Sequence, residues 1–270
     1  MNEPENEAGS GAGRERERGD DWQSSKRVAF FGGSFDPPHQ GHLAVARAAR
    51  IAFRLDTVLF APVGTQPLKP EGSAASFDDR VAMTRLAVAG EPGFAISLAD
   101  APKPSGERDY APNYTFDTLE GLHAALGPDR KLFCLMGADS FFGLHRWHRA
   151  AEIPFIAPLI VASRPGQPLG QTVADLRDAL PAGLTLESAP EGDKTESGVV
   201  VRAYVLANQA GESVPFYLLP GLDVEISASE IREAIRAEVS GAGGSEAAAS
   251  LLPPAVAGYI RSHGLYQGQG

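Results

Sequence analysis

The stretch Phe31-Gly-Gly-Ser-Phe-Asp-Pro-Pro-His-Gln-Gly-His42 decides how the rest of the chain is read. Just before it, the apolar run Arg27 to Phe31 predicts a strand. Just after it, a helical pattern runs from Gly41 to about Phe53, and Thr57 to Ala61 predicts a second strand. The whole is a βαβ unit with a glycine-rich first turn. Gly32 and Gly33 let the backbone approach a phosphate closely, Ser34 extends the turn, and the following helix offers free N–H groups and the positive end of its dipole. His39 and His42, three residues apart, can face one ligand if the turn between them is helical. A cation in a first helical turn opposes the dipole, so it makes physical sense mainly with an anion beside it. Two other readings fit the same residues: surface histidines beside a Gly-Pro turn, or two ligands of a zinc site. Zinc would need more ligands, which only His123, His145, His148 and His263 could supply by converging in space.

Working outward, helices are expected at Asp78 to Ala89, Thr115 to Leu126 and Arg146 to Glu152, with strands at Ala95 to Leu98, Lys131 to Met136 and Pro158 to Ala162. Strands alternating with helices imply an α/β fold: a doubly wound, mostly parallel, Rossmann-like sheet with helices on both faces. Between Arg164 and Pro215 the pattern weakens to one helix near Val173 to Leu180 and strands near Leu184 and Val199 to Leu206. The end is clearer: a strand at Pro215 to Leu219, a helix from Ser229 to about Val239, and a helix from Pro254 to Ser262 ended by Gly264. Residues 1–25 have almost no large apolar groups and read as a disordered tail. Residues 26–266 read as a single domain, and 241–250, rich in Gly, Ala and Ser, as a flexible surface loop within it.

At 270 residues and 43% hydrophobic, the chain can bury a full core. A formal charge of -10 argues against broad, charge-driven binding to nucleic acid, so small-molecule partners are expected. Cys134, the single cysteine, sits in the apolar run Lys131 to Met136 and leaves no disulfide or cysteine metal site. No apolar run is long enough to span a membrane, and the N-terminus has no apolar signal core. A reducing cytoplasm fits, and a homo-oligomer stays open.

Four further places could carry chemistry. Glu225-Ile-Ser-Ala-Ser-Glu-Ile-Arg232 starts a helix with Ser229 as the expected N-cap and Arg232 in its first turn, where phosphate would offset the dipole. A well-capped amphipathic helix, Ile231 and Ile235 inward, explains the same residues. Met136-Gly-Ala-Asp-Ser140 places Gly137 and Asp139 at the carboxyl edge of the sheet, where doubly wound folds bind ligands; Asp139 could equally be a helix cap. Trp147, in Leu144-His-Arg-Trp-His-Arg149, could stack on a flat ligand or belong to the core. Lys69 closes Ala61-Pro-Val-Gly-Thr-Gln-Pro-Leu-Lys69 and could meet phosphate or stay solvated. Asp78, Asp79 and Arg80 read as capping and surface charge.

The first segment resembles the signature of the nucleotidyltransferase superfamily marked by His-x-Gly-His. The second resembles that superfamily's Ile-Ser-x-Ser/Thr-x-Ile-Arg motif, which implies that Ser227, Ser229 and Arg232 hold the phosphates of ATP. Three more segments resemble the bacterial nicotinate-nucleotide adenylyltransferases. Asn113-Tyr-Thr-Phe-Asp-Thr-Leu119 is similar to their Ser-Tyr-Thr-x-Asp-Thr-Leu, with Asn113 in place of serine. Trp147 matches a tryptophan that stacks on the pyridine ring, and Leu252 to Tyr266 is similar to their ending. Lys69 matches the lysine of a Pro-His-Lys motif whose histidine is Leu68 here. The resemblance implies adenylyl transfer from ATP to nicotinate mononucleotide, a step of NAD biosynthesis. His39, His42 and Arg232 would be catalytic, and Gly32, Gly33, Ser34, Gly137, Asp139, Ser227 and Ser229 would bind ATP. Asn113, Tyr114, Thr115, Trp147 and Lys69 would bind the acceptor, Asp139 would meet ribose hydroxyls, and Mg²⁺ would arrive with ATP rather than on a dedicated protein site.

Overall fold

Alternating apolar side chains set the first strand between two cores. In β1 (Arg27–Gly33), Val28 and Phe30 face one side of the sheet and Ala29 and Phe31 the other, all buried. A strand buried on both faces needs helices on both faces, and the chain supplies them. The computed structural model describes residues 21–69, 71–105, 110–163, 173–189, 193–221, 227–239 and 250–268.

After β1 come α1 (Gln40–Ala52), β2 (Thr57–Pro62), α2 (Phe77–Val88) and β3 (Phe94–Ile96). Two-residue strands β4 (Lys103–Pro104) and β5 (Tyr110–Ala111) pair with each other ahead of α3 (Thr115–Leu126). Then follow β6 (Lys131–Gly137), α4 (Ala138–Phe142), α5 (Ile153–Ile156), β7 (Leu159–Ala162), α6 (Val173–Asp178) and β8 (Leu184–Ser188). The chain continues through β9 (Lys194–Glu196), β10 (Val199–Asn208), β11 (Ser213–Leu219), α7 (Ala228–Val239) and α8 (Pro254–His263).

The sheet runs β3-β2-β1-β6-β7-β11-β10-β8, with β9 beside β10. Every pairing from β3 to β11 is parallel, and β10 pairs antiparallel with β11, β8 and β9. The order reverses direction at β1 and β6, so the chain leaves these neighbours toward opposite faces and opens a crevice at their carboxyl ends. Register brings Gly33 opposite Pro62 and Gly137 opposite Ala162 along that edge. Helices α3, α4 and α5 bury Leu119, Phe141 and Ile153 on one face, while α1, α7 and α8 bury Leu43, Ile231 and Ile260 on the other.

The structure departs from the sequence expectations in several places. Within the stretch read as tail, Asp21–Ser24 form a 3-10 helix, and Trp22 packs against the core. No helix spans Arg146 to Glu152: a 3-10 turn at Leu144–Arg146 stops, and α5 begins only at Ile153. Arg149 breaks the run with a left-handed φ of 52°, its guanidinium lying 3.6 Å from the centre of the Phe116 ring and paired with Glu152. The pair β4–β5 also had no periodic signal, because two-residue strands carry none. Most of the loop expected at 241–250 lies outside the described residues. As expected, Gly264 ends α8, in the left-handed conformation at φ 62°. No helix among the described residues is long and apolar enough to cross a membrane.

Candidate active site

The turn after β1 forms the floor of a cavity of about 720 Å³ at the carboxyl edge of the sheet. Gly32, Gly33 and Ser34 line it, together with His39, His42 and Lys69 on the near side and Gly137, Asp139, Ser227, Ser229 and Arg232 on the far side. Eleven residues expected from the sequence to act on phosphate or nucleotide thus share one space. Gly32 has little room: a Cβ there would stand 2.8 Å from the ring of Phe30, which is 1% exposed. Gly32→Ala is therefore expected to cost about 1–3 kcal/mol as a drop in thermal stability. An unchanged melting temperature would show that the Phe30 ring can yield.

His39 is the N-cap of α1 and His42 its third residue; their ring centres are 3.8 Å apart. The His39 backbone N–H donates to Nδ1 of His42 at 3.2 Å. A ring nitrogen that accepts carries no hydrogen, so this hydrogen bond leaves Nε2 as the ring's donor. Among the described residues no group of three or more His, Cys, Asp or Glu is placed to hold a metal ion. The two histidine rings lie tilted against each other at 38°, and the Phe35 ring packs against His42 with centroids 5.0 Å apart.

At α7 the cap expected at Ser229 is Ser227. Its Oγ accepts the Glu230 N–H at 3.2 Å, and the Glu230 carboxylate accepts the Ser227 N–H at 2.8 Å, a reciprocal capping box. Ser229 is freed from capping and its Oγ accepts a hydrogen bond from Arg232 at 3.1 Å. Arg232 sits one turn beyond the cap, where the dipole matters little, and a second N–H donates to the Asp36 carbonyl at 2.7 Å. At the other edge, Gly137 rather than Asp139 caps α4, so the carboxylate of Asp139 is not the cap and lines the cavity.

A second cavity of about 380 Å³ adjoins the first, and both are lined by Gly32, Gly33, Ser34, Lys69, Asp139 and Ser140. Its walls include Asn113, Tyr114, Thr115 and Trp147, the four residues expected at the acceptor. Trp147 is half-buried: one part packs on the core and another faces the cavity, so both sequence readings hold in part. Asn113 lines the space, but its amide is engaged elsewhere: Oδ1 accepts the Thr65 N–H at 2.9 Å and Nδ2 donates to the Ala101 carbonyl at 3.0 Å. Its side chain therefore fastens two loops and leaves the cavity to neighbouring backbone. Lys69 is exposed and reaches Ser34 Oγ at 3.4 Å, at the seam between the two cavities.

Sequence reasoning missed several residues here. Arg80, read as surface charge, is 2% exposed and donates to the Ser34 carbonyl at 2.7 Å. Burial lowers its pKa. The Asp79 carboxylate accepts from the Tyr259 hydroxyl at 3.0 Å rather than facing solvent alone. Asp36 is 4% exposed and accepts from the Ala75 N–H at 3.0 Å and from the Tyr266 hydroxyl at 2.7 Å. His148 packs tilted against Tyr114 with ring centres 4.6 Å apart and also lines the second cavity. Asp100 lies against the floor of that cavity, buried and bonded by the Thr118 hydroxyl. Burial pushes its carboxyl up to about 6, against smaller opposing effects of Thr118 and Lys103. The Cys134 thiol beside it is pushed up to about 12, first by burial and then by Asp100, which leaves it unreactive. The only sequence signal for Asp36 and Tyr266 was their place inside stretches already singled out; Asp100 had none.

Comparison with known proteins places the chain in a family. The cytidylyltransferase-like family matches residues 30–234. A probable nicotinate-nucleotide adenylyltransferase of Gloeobacter violaceus is 37% identical over 241 residues, covering 89% of this chain and 96% of the relative. One from Stenotrophomonas maltophilia is 36% identical, covering 88% and 96%. The nicotinic acid mononucleotide adenylyltransferase of Plasmodium falciparum, solved in complex with NaAD, shares the fold at a TM-score of 0.59 and 14% identity, covering 90% of this chain and 98% of that one. A glycine-rich turn, two adjacent histidines and an arginine gathered at one sheet edge thus stand on a chain that matches these relatives over most of its length, and the chain belongs to the nicotinate-nucleotide adenylyltransferases of the cytidylyltransferase-like family.

Proposed function

We propose that the protein transfers the adenylyl group of ATP to nicotinate mononucleotide, giving nicotinate adenine dinucleotide and pyrophosphate in NAD biosynthesis. The observation that carries this reading is the seam: a cavity with phosphate-binding character and a cavity beside a tryptophan meet across Gly32, Gly33 and Ser34. Transfer between two bound nucleotides needs that contact, since a phosphate oxygen of one must reach the α-phosphorus of the other.

In the step itself, the acceptor phosphate oxygen forms a bond to the α-phosphorus of ATP while the bond to the bridging oxygen breaks, and pyrophosphate leaves with that electron pair. No covalent enzyme intermediate is required. The chain's part is positioning and charge neutralisation. His42, as a donor through Nε2, and His39 beside it would meet the phosphates from α1, while Arg232 would meet them from α7. Lys69 at the seam would serve the bridging phosphates, and Asp139 would accept from ribose hydroxyls. Mg²⁺ bound to the triphosphate would neutralise part of its charge, held by phosphate and water rather than by a side-chain cluster. Both substrates belong to the cytoplasm, where we place the protein.

Pyrophosphate release from ATP and Mg²⁺, measured in parallel with nicotinate mononucleotide, nicotinamide mononucleotide and phosphopantetheine, tests the reading. Preference for nicotinate mononucleotide is expected. Preference for another acceptor would keep the chemistry and replace the substrate, and silence with all three while ATP still binds would favour a nucleotide sensor. Trp147→Ala is expected to raise the acceptor KM about tenfold, the loss of one aromatic contact, with KM for ATP near its original value. An equal rise in both would assign Trp147 to the core alone.

A further inference from the structure

The carboxyl end of the chain reaches the phosphate loop through one buried carboxylate. Asp36 follows the glycine turn, and its two oxygens are spoken for: Oδ2 accepts the Ala74 N–H at 2.6 Å, and Oδ1 accepts the Ala75 N–H at 3.0 Å and the Tyr266 hydroxyl at 2.7 Å. With the side chain pinned from the 74–75 loop and from the last turn of the described chain, the backbone of Asp36 has one place to be. Its carbonyl then receives the Arg232 guanidinium at 2.7 Å, and its carboxylate stands 3.9 Å from the same guanidinium. Arg80 fixes the Ser34 carbonyl two residues upstream. Tyr266 is itself seated, its hydroxyl 4.0 Å from Met83 Sδ and its ring packed on the core that α2 and α8 share.

A guanidinium five bonds out on a flexible stem loses less freedom on meeting a phosphate if its approach is already fixed. We propose that Asp36 and Tyr266 are positioning residues for Arg232, so that the closing Tyr266 sets ATP affinity and turnover from outside the nucleotide cavity. Tyr266 does not line either cavity beside the phosphate loop, so it acts through Asp36 and Arg232. The inference rests on the reading that Arg232 meets the triphosphate.

The test is a double-mutant cycle of Tyr266→Phe and Arg232→Gln, read as kcat and KM for ATP and, separately, KM for nicotinate mononucleotide. Tyr266→Phe keeps the ring and removes one hydrogen bond. It is expected to lower kcat/KM for ATP about tenfold, to leave the acceptor KM unchanged, and to add nothing in the Arg232→Gln background. Undiminished kcat/KM for ATP in folded Tyr266→Phe overturns the coupling, and so does the same fractional loss with and without Arg232. Kinetics unchanged by Arg232→Gln would overturn both the coupling and the phosphate role of Arg232, which separates the two failures. If Tyr266→Phe melts below the assay temperature, the cycle is run with Asp36→Asn, which keeps Oδ1 for Tyr266 and Ala75 but sets an amide N–H against the Ala74 N–H and so loosens the same pin on Arg232, with the same expected and overturning results.

Discussion

Replacing His42 with alanine is expected to lower turnover by about 10²–10³-fold, on the order of 3–4 kcal/mol of transition-state stabilisation, while the protein still folds. The ring lines the cavity at the first turn of α1, and its orientation is set by the His39 N–H bonded to Nδ1 and by the Phe35 ring. That bond commits the proton to Nε2, so the donor is ready before substrate arrives. Preorganised donors of this kind act on charge that develops during transfer, and their loss falls on kcat more than on KM. The loss of packing and of the partner of the His39 N–H, on a residue 4% exposed, costs the fold about 1–3 kcal/mol. Single-turnover pyrophosphate release beside a thermal melt separates the two effects. Near-normal turnover in a folded variant would remove His42 from the mechanism.

The second large effect concerns stability. Asp100 is 3% exposed, and its carboxyl is raised from an ordinary 3.8 to about 6, chiefly by burial. A carboxyl that holds its proton more tightly when folded favours the folded state at low pH. Below about pH 3.8 the acid is neutral in both states and costs nothing; between 3.8 and about 6 the unfolded chain ionises first and the penalty grows; above 6 it is complete, at about 3 kcal/mol. Asp100→Asn keeps the shape and an oxygen for the Thr118 hydroxyl without the charge. The variant is expected to melt several degrees higher than the parent at pH 8, with the difference shrinking as pH falls toward 4. Equal melting temperatures at pH 8 would mean that Asp100 is neutralised or solvated where the structure buries it. The charged carboxylate lies on the floor of the second cavity.

How much of this was legible in the sequence follows from how local each signal is. The βαβ start, α3 from Thr115 to Leu126 and the left-handed stop at Gly264 were readable because apolar spacing and glycine conformation act within a few residues. The Arg146 to Glu152 segment misled because its composition permits a helix, while a cation over Phe116 and a left-handed Arg149 decide otherwise. The cap of α7 moved from Ser229 to Ser227 once Glu230 could reach back, a choice between two serines that only the closed turn makes.

By itself the sequence determined the sheet, the glycine turn, the pair of histidines and the far arginine, since each depends on residue type and short spacing. The tertiary structure alone decided what those residues are to one another. It tied the His42 ring to the His39 N–H, engaged the Asn113 amide with two loops, and buried Arg80, which had read as surface. It also joined Asp36 to Tyr266 across 230 positions of chain. Burial and long-range hydrogen bonds are properties of a packed interior, and no local pattern of residues records them.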